Sequence, residues 1–102
     1  MNRKLYTFGK IILDFKKYQT FVDEKEIHLS AREYDIMKVF IKHAGDVIHR
    51  HTMLDEVWGY DTYPTTRDVD NYMLDLRKKF EDDPAHPKHI LSIRGVGYKF
   101  VP

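Results

Sequence analysis

The chain has no cysteine, only four prolines and five glycines, and no long apolar run. Without thiols it forms no disulfide, no thiolate zinc site and no cysteine nucleophile. A bilayer-spanning helix needs roughly 20 consecutive apolar residues, and no stretch approaches that, so no membrane is expected as a partner. An excess of charge is missing too: 17 Lys and Arg stand against 16 Asp and Glu, a formal net charge of +1. That balance excludes a protein that coats nucleic acid through bulk positive charge. Freedom from cysteine and the lack of a leader-like segment fit the reducing cytoplasm.

What is there has the composition of a folded domain. At 102 residues, 42% apolar and 14% aromatic, the chain is long enough for a core without staples, and residues 1–102 are expected to form a single domain. The positive surplus lies at its two ends. Residues 1–30 carry six cations against four anions and residues 83–102 three against one, while 31–64 and 65–82 lean acidic. If the partner is DNA, a few placed cations must supply the grip.

The apolar pattern changes period along the chain. Residues 4–29 alternate in short runs, Leu5-Tyr-Thr-Phe8, Ile11-Ile-Leu-Asp-Phe15, Thr20-Phe-Val22 and Glu26-Ile-His-Leu29. This predicts a small antiparallel sheet of about four strands within residues 1–29. Ser30-Ala-Arg-Glu33 is then a capping box, with Leu29 and Tyr34 at the staple positions. Ile36, Met37, Phe40, Ile41 and Ala44 follow on one face, and Gly45 suits the C′ stop, so a helix is predicted over 31–44. Val47-Ile48 reads as a short connecting strand or turn. A second helix over 50–58 turns Met53, Leu54, Val57 and Trp58 inward and stops near Gly59. Pro64 marks a loop, because it disfavours helix in the residue before it. Thr65 or Thr66 caps a third helix over 66–82, with Val69, Met73 (or Tyr72), Leu76 and Phe80 buried. These helices make up a three-helix core over 30–82. The loop between the second and third helices is longer than the compact turn of simple helix-turn-helix proteins.

The last segment, 88–102, carries the strongest functional signal. Two β-branched or aromatic runs flank Arg94-Gly-Val-Gly97, which predicts a β-hairpin with a glycine-permitted tip and a cation on it. Just upstream, the third helix ends in Arg77-Lys-Lys79. A basic-tipped hairpin beside a basic-ended helix is the way a winged helix-turn-helix grips DNA, with the helix in the major groove and the wing along the minor groove or backbone.

Over nearly its full length the chain resembles the C-terminal effector domain of OmpR/PhoB-type response regulators. The resemblance rests on Leu29-Ser-Ala-Arg-Glu33, Gly45-Asp-Val47, Arg50, Leu54-Asp-Glu-Val-Trp-Gly59, Arg67-Asp-Val-Asp70, Leu76-Arg-Lys-Lys79 and Ile93-Arg-Gly-Val-Gly-Tyr98, in order and at the right spacing. It implies an α+β winged helix-turn-helix with a four-stranded N-terminal sheet, a three-helix core and a C-terminal hairpin wing. It further implies a transcription regulator of a two-component phosphorelay, bound to direct repeats as a head-to-tail dimer. A phosphorylatable receiver domain, absent from this chain, would control it by raising the dimer's concentration on DNA. The loop after the second helix, here Tyr60, Asp61, Thr62, Tyr63, Pro64 and Thr65, would contact RNA polymerase.

Arg94 is by resemblance the minor-groove wing residue; the plainer alternative is a solvated turn. Ser92 and Tyr98 match positions that touch phosphate, although a hairpin tyrosine is often core with a wet tip. Arg67, Asn71, Leu74, Asp75 and Lys78 share the stripe of the third helix opposite its core face, where Tyr72 is a further candidate at the margin. Asn71 suits adenine, Asp75 a cytosine amino group and Leu74 a thymine methyl. Arg67 and Arg77 suit phosphate. An ordinary solvated face is the alternative for the whole stripe. Arg50 and Thr52, opening the second helix, match positions near the DNA backbone. His49 there is a poorer cap than the usual Ser. Trp58 reads as core or core edge, with an indole–phosphate contact as the lesser option.

The family's better-known members often carry cations at the positions of Leu74 and Asp75. That departure motivates a rival reading, a winged-helix module that binds protein with little specific DNA affinity. Asp70 reads as structural, paired with a nearby cation. His49-x-His51 and His86-x-x-His89 lack a persuasive third ligand, so no metal or other cofactor is expected. Gly95-Val-Gly97 lacks the parts of a nucleotide loop, and no nucleophile–base–oxyanion set assembles, so no enzyme is expected.

Overall fold

A computed structural model describes residues 5–59 and 64–102. The chain opens with four short strands, β1 (Leu5–Phe8), β2 (Ile11–Asp14), β3 (Gln19–Val22) and β4 (Lys25–Ile27), paired antiparallel in sequence order. Phe8, Ile11, Leu13 and Thr20 are buried, as period-2 alternation requires of a sheet with one wet face. The β3–β4 turn places Asp23 and Glu24 at φ +52° and +67°, the paired left-handed geometry of a two-residue hairpin without its usual glycine. On the inner face the hydroxyls of Thr20 and Tyr34 share a hydrogen bond at 2.6 Å, which ties the sheet to the first helix.

That helix, α1 (Ala31–Lys42), begins where the capping box predicts. Glu33 N–H donates to Ser30 Oγ at 3.2 Å, and Glu33 Oε1 accepts from Ser30 N–H at 2.8 Å. The C-terminus is shorter than expected. His43 is the C-cap, Ala44 is exposed, and Gly45 at φ +88° lies beyond the helix, its amide donating to the Phe100 carbonyl at 2.9 Å. Gly45 therefore turns the chain into β5 (Val47–His49) and anchors it to the wing.

Helix α2 (Arg50–Val57) buries Met53 and Val57, and Trp58 packs just past its end. Helix α3 (Thr66–Phe80) buries Val69, Met73, Leu76 and Phe80, the face read from the sequence. Thr65 is its cap, and Asp68 returns the bond to the Thr65 amide at 2.7 Å. This is a capping box with Asp in place of the usual Glu or Gln. The helix stops at Phe80 rather than 82 because Glu81 turns extended. The Glu81 carboxylate accepts from three successive amides, Lys88, His89 and Ile90, at 2.9, 3.0 and 2.8 Å. One buried acid thus satisfies the backbone entering the hairpin.

The hairpin is β6 (Ile90–Ile93) and β7 (Gly97–Phe100). β7 is the middle strand of a second sheet in the order β5-β7-β6. The segment 47–49 is therefore a full sheet partner of the wing. Phe8, Phe40, Phe80 and Phe100 meet where the two sheets and the helices converge, with Phe8 edge-on to Phe80 and Phe100 at 5.7 and 4.9 Å. Glu33, only 3% exposed, also binds Lys79 Nζ at 2.8 Å, joining the start of α1 to the end of α3.

The expected tip runs from Arg94 to Gly97, but Gly97 is already strand. Only Arg94, Gly95 and Val96 connect, closed by Val96 N–H donating to the Ile93 carbonyl at 2.9 Å. The two glycines serve different ends. Gly95 takes φ +75° in open space, whereas a Cβ on Gly97 would overlap the Ile48 carbonyl and stand 2.9 Å from His49 Cα. Gly97→Ala is therefore expected to cost ~3 kcal/mol by forcing β5 and β7 apart, and Gly95→Ala about 1 kcal/mol of backbone strain. Thermal denaturation of the two variants checks the contrast. Lys79→Met, which strands the Glu33 carboxylate, should cost roughly 2–3 kcal/mol in the same assay.

Candidate nucleic-acid interface

The outer stripe of α3 is intact and wet. Arg67, Asn71, Leu74, Asp75 and Lys78 are all exposed, and none has an ion-pair or hydrogen-bond partner among the described residues. Leu74 is 53% exposed, more than any other large apolar side chain described. Tyr72 sits at the margin, half-buried, with its ring 5.5 Å from that of Trp58. Trp58 is itself buried, faced on another side by the Arg32 guanidinium at 5.2 Å.

Behind this stripe, α3 is fastened to α2 and the wing by side chains that the sequence placed on the DNA backbone. Asp70 Oδ1 accepts from Arg50 Nε at 3.0 Å and from the Tyr98 hydroxyl. Arg77 donates from Nε to the Ile90 carbonyl at 2.9 Å and from a terminal nitrogen to Ser92 Oγ at 2.7 Å, its guanidinium 5.8 Å from the Tyr98 ring centre. Arg50, Arg77, Ser92 and Tyr98 therefore have partners inside the protein. The pairing expected of Asp70 is present. Lys79 is held by Glu33, so only Lys78 of the basic Arg77–Lys79 run keeps its charge for solvent.

The remaining candidates fall at the edges of this network. Arg94 is exposed at the wing tip with no partner among the described residues. His49 caps α2 without a side-chain bond, and Thr52 is exposed in the first turn. In the long loop, Thr65 is the α3 cap and Pro64 precedes it half-buried, while Tyr60, Asp61, Thr62 and Tyr63 lie outside the described residues.

Comparison with known proteins decides the family. Residues 24–100 match the family described as transcriptional regulatory protein, C terminal. The chain belongs to this family, the OmpR/PhoB-type effector domains of response regulators. The effector domain is 37% identical over 101 residues to a probable transcriptional regulator, ycf27, of Galdieria sulphuraria, covering 97% of this chain and 40% of that protein. It is 34% identical over 91 residues to the sensory transduction protein RegX3 of Mycolicibacterium smegmatis, covering 89% and 40%. It thus spans about two-fifths of these relatives' length.

Among solved structures, it superposes on the response regulator DrrB of Thermotoga maritima with a TM-score of 0.88 at 35% identity, covering 98% of this chain and 45% of that one. With the DNA-binding domain of Klebsiella pneumoniae RstA, solved in complex with the RstA box, the TM-score is 0.82 at 30% identity, covering 97% and 98%. The winged-helix α+β fold expected from the sequence is the fold found.

No group of three or more His, Asp or Glu among the described residues of the effector domain is placed to share a metal. His86 Nδ1 lies 3.0 Å from Asp83 and His89 Nδ1 2.8 Å from the Val101 carbonyl. Sequence reasoning did not find the Glu33–Lys79 pair, the Glu81 acceptor site or the Arg77 fork, since each joins residues remote in sequence or side chain to backbone.

Tyr98 has an unusual proton. Burial first, and then its bond to the Asp70 carboxylate, push its hydroxyl from 10.0 up to about 12. The folded state thus holds the proton more tightly than the unfolded chain, so the stability this contributes is whole below pH 10 and is lost as pH rises towards 12. Following phenolate absorbance with pH should reveal a late-titrating tyrosine that Tyr98→Phe removes.

Proposed function

We propose that this effector domain binds a specific double-stranded DNA site and controls transcription. The observation that carries the reading is the outer stripe of α3, whose groups have no partner among the described residues, beside a wing whose tip arginine likewise has none there. Helix α3 lies in the major groove. There Asn71 pairs with an adenine edge, Asp75 accepts from a cytosine amino group and Leu74 meets a thymine methyl. Lys78 reads at the same face, and Tyr72 borders it. Arg94 enters the adjacent minor groove, where narrowing concentrates negative potential.

Arg67 and Thr52 hold phosphates. Arg50, Arg77, Ser92, Tyr98 and Trp58 contribute to the backbone only through groups left over from their internal contacts. The RstA domain solved with its DNA box is a similar protein in this role. Two copies occupy a direct repeat head to tail, the loop 60–65 meets RNA polymerase, and a receiver domain elsewhere in the regulator supplies phosphorylation control in the cytoplasm. The domain itself does no chemistry.

The exposed Leu74 beside Asp75, in a segment 65–82 that carries five acids against four cations, favours a second reading as a protein-binding module. Selection from a randomised duplex library separates the two. A DNA reader enriches a tandem repeat whose log K falls linearly with log salt. Arg94→Ala then weakens that site about tenfold and reduces the salt slope by about one. Absence of enrichment, with indifference to Arg94→Ala, rejects the DNA reading in favour of a protein partner.

A further inference from the structure

The wing of this domain is gripped along both edges. On one side β7 pairs with β5 in register, Val47 opposite Lys99 and His49 opposite Gly97. On the other, the outer edge of β6 pairs with no further strand among the described residues, and Arg77 of α3 reaches it instead, taking the Ile90 carbonyl and Ser92 Oγ in one fork. Seven residues earlier on the same helix, Asp70 takes the Tyr98 hydroxyl from the middle strand. Two turns of helix apart, these contacts fasten α3 to both strands of the hairpin. Neither Asp70 nor Arg77 lies on the outer stripe that faces DNA in the proposed reading.

We infer that Asp70 and Arg77 are positioning residues that make the reading helix and the wing a single rigid caliper. They set the number of base pairs between the major-groove site of α3 and the minor-groove site of Arg94. A charge-assisted acceptor and a planar fork suit this task, because each fixes direction as well as distance. The sheet alone cannot do it. Pairing with β5 locates the hairpin relative to α2. Among the described residues, Asp70 and Arg77 are the side chains within α3 that hydrogen-bond the wing strands, and the C-cap Glu81 adds only the Ile90 amide at the entry to β6. Sharing Asp70 Oδ1 with Arg50 brings α2 into the same body. The inference rests on the DNA-reading proposal for its purpose, though the rigid body exists in the free protein and can be measured there.

Two measurements test it, using Tyr98→Phe, Arg77→Lys and the pair combined. Tyr98→Phe removes one hydroxyl donor without emptying the core, and Arg77→Lys keeps the charge but loses the fork. In the free protein, residual dipolar couplings of amides in α3 and in residues 90–100 should fit one alignment frame for the parent, with hairpin couplings scaled down in the double variant. Unchanged couplings in the double variant overturn the inference whether or not DNA binds.

On DNA, the selected site is rebuilt with its A·T-rich minor-groove element shifted by one base pair either way. The parent should prefer the native spacing by roughly tenfold, and the double variant by less than about threefold, with its salt slope unchanged. A uniform loss of affinity that keeps the spacing preference would mean these residues merely support the fold. Failure of the parent to select any site would defeat the DNA reading itself, leaving the coupling result to stand or fall alone.

Discussion

One carboxylate oxygen, Asp70 Oδ1, receives donors from two other elements, and α2, α3 and the wing are tied together at it. Arg50 comes from the start of α2 and Tyr98 from the middle strand of the wing, while Asp70 belongs to α3. As a surface ion pair the Arg50–Asp70 contact is worth little, since both side chains are about two-fifths exposed and water screens them. Its value is geometric. Two donors converging on one atom link α2, α3 and β7, above a face of α3 on which Val69, Met73 and Leu76 are buried.

The distribution of cations follows the same logic. The 17 Lys and Arg are nearly balanced by 16 Asp and Glu, and three of the cations near α3 are engaged within the protein: Arg50 with Asp70, Arg77 with the wing, Lys79 with Glu33. Arg67, Lys78 and Arg94 remain open to solvent. In the proposed DNA reading, three open cations around α3 and the wing tip give limited grip on phosphate there, and discrimination falls on the groups that meet base edges. The neutral and acidic pair Leu74 and Asp75 at the centre of the stripe fits a surface built for selectivity more than for grip.

Glycine 97 shows how closely the scaffold and the site are coupled. The hairpin could turn with Gly95 alone, yet the strand after it needs a residue without Cβ so that the Ile48 carbonyl can approach. That approach makes 47–49 a strand, and it brings the end of α1, through Gly45 and Phe100, onto the wing as well. The arginine at the tip therefore projects from a sheet anchored to the helical core, not from a free loop.

Much of this was legible in local sequence. The capping box at Ser30 and Glu33, the i, i+3, i+4 rows of α1 and α3, the alternation of residues 5–27 and the two apolar runs around Arg94 each depend on neighbours within a turn or a strand. Short-range sterics and hydrogen bonding decide such features. The stripe on α3 was legible for the same reason, since helical period alone puts 67, 71, 74, 75 and 78 together.

Other features were not legible. That Glu81 ends α3 by accepting amides eight residues on, that Glu33 meets Lys79 across 46 positions, and that Arg77 serves the wing before any phosphate are consequences of which elements become neighbours. The sequence by itself determined the elements and their outward faces. Only the tertiary structure decided which charges remain free to meet a partner, because a long side chain takes the nearest acceptor, and that acceptor exists only once the chain has folded.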